Sequence, residues 1–268
     1  MMRKGTKTER KSAIGYFGYG CSNATALARL GDLGAILRDP REDPEIRATA
    51  ASALSFIGEP AYPYYMDMAR IVVEDEPGDV FHAVDESVGN SMITLCATPL
   101  KAGLVTDKAL FYQAALKLVD HKRQSGRTSG LRLLAEVPIE DFHLVAAKVQ
   151  HIIDDKDPTY HSYHNQGPRG AAIDILVALN IEEGLKYLLD TLELDSGKFG
   201  FKIRMLLAVV PKYGGHAKAV LPQLKAIKAG GFQVQWDEMI RKIEQGEPGK
   251  EKLLTFEEAR QYGLKGKK

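Results

Sequence analysis

Cysteine is scarce in this chain. Among 268 residues only Cys21 and Cys96 are present, too few for a disulfide framework, and two reduced thiols are the expected state. No stretch approaches the roughly 18 consecutive apolar residues of a membrane span. Net charge is also nearly absent, at +1, so nothing draws the chain as a whole toward nucleic acid or anionic lipid. There is one tryptophan, and nowhere does an alternating apolar and polar run with turn signals point to a strand. The N-terminus sets basic residues (Arg3, Lys4, Lys7, Arg10, Lys11) before SAIGYFGYGCSNATALA. That resembles an export signal, but Gly, Ser and Asn interrupt its apolar middle, and it reads as part of the folded chain. The expectation is a soluble protein with no membrane span. A cytoplasmic location is favoured, and an exported origin stays open.

What is present is a helical pattern that returns. Ile46–Ala61 reads IRATAASALSFIGEPA, Arg127–Glu140 RTSGLRLLAEVPIE, Arg169–Glu183 RGAAIDILVALNIEE and Lys202–Gly215 KIRMLLAVVPKYGG. Each opens near a cation, runs through small and aliphatic residues at helical spacing, and breaks at Gly, Pro or Asn before a second apolar helix. Ile46, Ala50, Ala53, Leu54 and Ile57 occupy one helix face, as do Phe142, Val145, Ala146, Val149, Ile152 and Ile153. A helical hairpin recurring every roughly 35–45 residues is the signature of a repeat array.

The spacing predicts an all-α fold, an α-solenoid of about five stacked hairpins closed by a C-terminal capping helix. The hairpins pair Ile46–Ile57 with the helix after Pro63, Phe81–Leu95 with Leu104–Val119, Arg127–Val137 with Phe142–Asp154, Arg169–Leu179 with Glu182–Leu194, and Phe201–Pro211 with Ala217–Lys228, where Pro222 echoes Pro63 and allows the second helix to start only near Leu221. Trp236, Met239, Ile240 and Ile243 mark the capping helix, and Thr255-Phe256-Glu257-Glu258 has capping-box spacing for one more short helix. Residues 1–22 form a basic, glycine-rich segment in which Gly15, Gly18 and Gly20 disfavour regular structure. The repeats fill 23–245, and 246–268 are a tail carrying the short helix.

DPxIR entering a helix, followed by AAxALxxIG and a turn (here Asp43-Pro44-Glu45-Ile46-Arg47, Ala50-Ala51-Ser52-Ala53-Leu54 and Ile57-Gly58), resembles the HEAT-like repeat of the PBS-lyase type. Gly184–Leu224 is similar to the C-terminal repeats of large bacterial HEAT-repeat proteins, and SAIGYFGYGCSNATALARLG is like a glycine-rich element of such proteins. The resemblance covers roughly residues 24–245. It implies a helical-repeat fold and is almost silent on function. The lyase name brings no activity with it, because no catalytic motif accompanies the repeat here.

Candidate chemistry is sparse. The polar loop Asp154–Pro168 holds Asp154, Asp155, Asp157, His161 and His164. Both imidazoles of this HxxH could reach one ion with a carboxylate as third ligand. Without cysteines or a helical HExxH frame a solvated loop accounts for the same residues, and no metal is assigned. Tyr160 and Tyr163 in this loop are suited to partner contact by ring and hydroxyl together. Tyr62, Tyr64 and Tyr65 around Pro63 read as packing residues. Arg47, Arg127, Arg169 and Lys202, with Arg132 and Arg204, could form a basic ladder for acidic peptides or phosphates. Structural pairing with neighbouring Asp and Glu is the favoured reading, since near-equal totals of acid and base supply partners throughout. GYFGYG lacks the Lys-Ser/Thr of a phosphate loop, and no Cys–His–Asn spacing accompanies Cys21. No cofactor is implied, and the reading leans away from an enzyme.

The leading expectation is therefore a non-catalytic scaffold for a protein or peptide. Its candidate contact residues are Tyr160, His161, Tyr163, His164, Arg47, Arg127 and Arg169. The alternative is a nucleic-acid-binding or DNA-repair protein like the alkylpurine glycosylases built on HEAT-like repeats. Such a protein needs a cationic groove with aromatic and acidic residues inside it. The net charge and the place of Trp236 in the cap speak against that alternative.

Overall fold

The computed structural model describes residues 2–74, 84–155, 167–193, 199–246 and 253–265. Among these residues the fold is helical throughout, with a single isolated bridge between Ile181 and Leu254. None of the helices is long and apolar enough to cross a membrane. The chain divides into two compact units, Met1–Glu136 and Val137–Lys268. The division falls inside the sequence pairing of Arg127–Val137 with Phe142–Asp154.

In the first unit, α1 (Lys7–Tyr19) is followed by the short α2 (Asn23–Leu27) and by α3 (Leu30–Arg38). Then come α4 (Pro44–Ile57), a 3-10 segment Glu59–Tyr64 and α5 (Tyr65–Glu74). The unit ends with α6 (Val84–Leu95), α7 (Lys108–Val119) and α8 (Gln124–Leu133). These helices form two rows. In one, α1 packs on α4, α4 on α6 and α6 on α8; in the other, α5 packs on α3 and α7. The rows meet where α3 packs on α4, α5 on α6 and α7 on α8. Among helices consecutive in the chain, the close pairs are α3 with α4, α5 with α6 and α7 with α8, one helix out of frame with the sequence pairing. The physical reason lies in the connections. The 3-10 segment after Gly58 separates α4 from α5, whereas Pro44 and the Asp43 cap turn the chain sharply from α3 into α4.

The N-terminal segment corrects the sequence reading. Residues 7–19 are a helix despite three glycines in the neighbourhood, because Thr6 and Glu9 form a reciprocal capping box. The Thr6 N–H donates to the Glu9 carboxylate at 2.8 Å, and the Glu9 N–H donates to Thr6 Oγ at 3.3 Å. Gly18 is a packing residue: a Cβ there would lie 2.9 Å from Ala53 Cα, so its bareness lets α1 settle on the backbone of α4. The basic residues of α1 hold the same interface. Lys7 meets Asp43 at 3.0 Å and Glu45 at 2.7 Å, Lys11 meets Glu45 at 2.9 Å, and Arg10 pairs with Glu42. Tyr65 lies fully buried at the start of α5, and Arg38 stacks 4.7 Å over the Tyr64 ring.

The second unit contains a 3-10 turn at Ile139–Asp141, α9 (Phe142–Asp154), α10 (Pro168–Ala178), α11 (Glu182–Glu193) and α12 (Phe199–Val209). A long 3-10 stretch, Val210–Val220, fills the connection after α12, and the next α-helix starts at Leu221, the later of the two starts the sequence allows. This helix is α13 (Leu221–Ala226). Gly214, at φ 53°, and Pro211 interrupt regular α-helix here. As expected, α14 (Gln233–Gln245) buries Trp236, Met239 and Ile243. The indole Nε1–H donates to the Leu224 carbonyl at 3.1 Å. The capping-box helix also forms, as α15 (Phe256–Lys265), with the Thr255 N–H donating to Glu258 at 2.9 Å. It folds back: Leu254 exchanges backbone bonds with Asn180 and Glu182, the Phe256 ring meets Phe142 edge-on at 5.3 Å, and α15 packs on α9.

Candidate functional site

Within the first unit, the row of α1, α4 and α6 carries an open groove of about 430 Å³. Its residues follow from helical spacing. Lys11, Gly15 and Tyr19 recur along α1, Glu45, Thr49 and Ser52 along α4, and Ser87 and Asn90 along α6. Each set recurs at intervals of three or four; on α4 and α6 it lies opposite the stripe the helix buries, and on α1 it runs through the buried Gly15. Arg123, just ahead of α8, and Glu86 complete one side.

The charges in the groove are paired. Lys11 is bound to Glu45 at 2.9 Å, and Arg123 Nη1 donates to Glu86 at 3.1 Å. Ser125 Oγ also donates to Glu86. Asn90 Oδ1 accepts from Ser129 at 2.6 Å, and the Thr49 hydroxyl donates back to the Glu45 carbonyl at 2.7 Å. Arg123 is positioned from behind: its backbone N–H donates to His121 Nδ1 at 3.1 Å. The other ring nitrogen, Nε2, faces the buried Asp85 carboxylate at 3.4 Å, which assigns its hydrogen to that side. At the groove's end Tyr19 is 76% exposed and pairs edge-on with Phe56, itself 56% exposed, at 5.8 Å.

Hydrogen bonds from Lys7 and Lys11 hold the Glu45 carboxyl well below its ordinary 4.5, at about 2. A carboxyl lowered by folding adds stability that is complete above the unfolded value of 4.5 and is lost as pH falls through about 2. Urea midpoints measured between those limits should therefore fall more steeply for the natural protein than for Glu45→Gln. Parallel curves would show that the cluster does not support α1.

The sequence-predicted contact residues fall into two groups. Tyr160, His161, Tyr163 and His164 lie outside the described residues. The unit-leading arginines tie successive elements together. Arg47 Nε donates to the Leu37 carbonyl in the last turn of α3 at 3.0 Å. Arg169 Nε donates to Ile153 in the last turn of α9, also at 3.0 Å, and Arg127 donates to Lys122 between α7 and α8 at 3.2 Å. Each satisfies a carbonyl at or beyond a helix end that the backbone leaves open. None of the three lines the groove. Among the described residues no group of three or more His, Cys, Asp or Glu is placed to hold a metal ion.

Sequence reasoning passed over the groove because its residues carry no catalytic signature. The available signal was the run of small and polar residues at helical spacing opposite the apolar stripes of α4 and α6. Comparison of the chain with family models, with curated proteins and with solved structures returned no match.

Proposed function

We propose that the protein is a HEAT-like helical-repeat scaffold, an α-solenoid of about five hairpins, that binds a protein or peptide segment without catalysing a reaction. The observation that carries this reading is the groove across α1, α4 and α6. It is open, crosses three helices and sets Thr49, Ser52, Ser87 and Asn90 between its charged residues, properties that suit a chain segment. The two-row packing of the first unit supports the repeat reading. The balance of Lys11 and Arg123 against Glu45 and Glu86 favours a peptide over a nucleic acid, whose phosphates need cations in excess.

Selection of a random peptide display library against the whole chain tests this. Ligands should be recovered that bind the natural protein and lose affinity by about tenfold or more when Asn90→Arg or Ser52→Arg fills the groove. Both variants should keep the helical circular dichroism and melting temperature of the natural protein. Ligands indifferent to both substitutions would remove the groove from the binding function. A salt-sensitive gel shift with duplex DNA would favour the nucleic-acid alternative instead.

A further inference from the structure

The Arg123–Glu86 side of the groove is built on a half-hidden histidine. His121, in the connection between α7 and α8, has a side chain only 12% exposed, and that of Asp85 beside it on α6 is 4% exposed. Nε2 carries its hydrogen toward the Asp85 carboxylate at 3.4 Å. Nδ1 accepts from the Arg123 N–H at 3.1 Å. The backbone of α8 packs directly on this nitrogen, since a Cβ on Gly126 would stand 2.3 Å from it. The ring is therefore held as one neutral tautomer with both nitrogens in use.

The same Nδ1 has a second neighbour of opposite character. The Arg123 carbonyl oxygen lies 3.4 Å from it. That oxygen also accepts from the Arg127 N–H at 3.2 Å, at the first turn of α8. A neutral imidazole can accept from the Arg123 N–H, whereas an imidazolium carries hydrogen on both nitrogens and can only donate. A second proton thus strips the Arg123 N–H of its acceptor and aims Nδ1–H at the Arg123 carbonyl. At 3.4 Å that contact exceeds the roughly 2.7–3.2 Å of a good N–H···O bond, so the Arg123 backbone must move to make it.

The geometry points to a proton-operated latch: a proton taken from solvent onto His121 Nδ1 re-seats the backbone at Arg123 and loosens the Arg123–Glu86 side of the groove. Arg123 is the lever because one residue carries both contacts, its backbone on the ring and its Nη1 on Glu86 at 3.1 Å. Ser125, on the same turn, donates to the other Glu86 oxygen. Asp85 lets the ring accept charge, since an imidazolium left unpaired at this depth would be costly. The other ionisable groups around the ring are already placed. Glu86 of α6 is held by Arg123 and Ser125, and Arg127 of α8 donates to the Lys122 carbonyl. Asp120, at the end of α7, and Lys122 are exposed. Among the described residues of the first unit His121 is the sole histidine, the side chain whose charge ordinarily changes between about pH 5 and pH 8. The groove is therefore closed on this side when the ring is neutral, at the higher pH, and loosened when it is charged. The latch goes beyond the peptide reading and holds whatever ligand the groove takes.

The test is an NMR titration of the full chain from about pH 8 to about pH 5. It follows the His121 ring, the Arg123 amide and the Glu86 side-chain carboxyl carbon. The Arg123 amide proton should move upfield as its hydrogen bond is lost, and its protection from hydrogen exchange should drop about tenfold or more. Its curve and that of the Glu86 carboxyl should share the midpoint of the ring. His121→Asn sets a carbonyl oxygen near the place of Nδ1 and does not titrate, so both curves should vanish in it. Asp85→Asn removes the charge that favours the imidazolium and should carry ring, amide and carboxyl curves to lower pH together. A ring that takes no proton in this range overturns the latch. So does an Arg123 amide or a Glu86 carboxyl that stays still while the ring titrates, or one that still moves in His121→Asn. If neither variant folds, the three curves of the natural protein decide between these outcomes on their own.

Discussion

Trp236→Ala should lower the stability of the second unit by about 3–5 kcal/mol through the lost ring burial and the cavity left behind. The indole is fully buried, and its Nε1–H satisfies the Leu224 carbonyl at the end of α13 at 3.1 Å. Losing that donor adds a penalty on the order of 1–3 kcal/mol if water cannot reach the carbonyl. Against the 5–15 kcal/mol of a typical domain (about that range), the change should unfold a large share of this unit at physiological temperature. Urea denaturation followed by circular dichroism measures it, with Trp236→Phe as companion. Phe keeps a six-membered ring and loses the donor together with the five-membered ring, so it should cost less than Ala, about 1–3 kcal/mol. A change below about 1 kcal/mol for Trp236→Ala would mean that α14 does not close the core of this unit.

Gly18→Leu should detach α1 from the first unit. The atom that meets a new Cβ is Ala53 Cα, part of the α4 backbone, so no flexible side chain can yield and the helices must separate. Overpacking of this kind costs about 1–3 kcal/mol. Separation also withdraws Ile14 from its buried site and pulls Lys7 and Lys11 from Glu45. Limited proteolysis should cut α1 early in the variant while α4–α8 stay resistant. Because α1 supplies Lys11, Gly15 and Tyr19 to the groove, peptide binding should fall with it. Unchanged proteolysis would show that α1 tolerates the added volume by sliding.

The elements that the sequence made legible are those whose signals are local. The Asp43-Pro44 entry to α4, the apolar stripe of α9 and the Thr255/Glu258 capping box each act within one or two turns, and the structure has a helix at all three. The cap at Thr6 and Glu9 is equally local, but the reading of residues 1–22 rests on Gly15, Gly18 and Gly20 and does not include it. Bare positions in sequence do not say whether they break a helix or admit a neighbour, and Gly18 does the second. Hairpin pairing was less legible, because which helix leans on which depends on the geometry of the intervening turns. The groove was least legible of all. Ser52, Ser87 and Asn90 look like ordinary solvent-facing residues until α4 and α6 are set side by side, and only then does their hydrogen-bonding capacity converge. The arginines show the opposite case: Arg47 and Arg169 are conspicuous in the sequence and serve the carbonyls of the preceding helix.

The return of α15 onto α9 has a consequence for biosynthesis. Phe142 emerges from the ribosome more than a hundred residues before Phe256, the ring that packs against it, an order of synthesis set by the linear chain. At about 5–20 residues per second, the nascent second unit waits several seconds with that surface uncovered, whereas α1 to α8 find their partners close by in the chain. A chaperone that recognises exposed apolar surface should therefore engage ribosome-bound intermediates of the second unit in preference to those of the first.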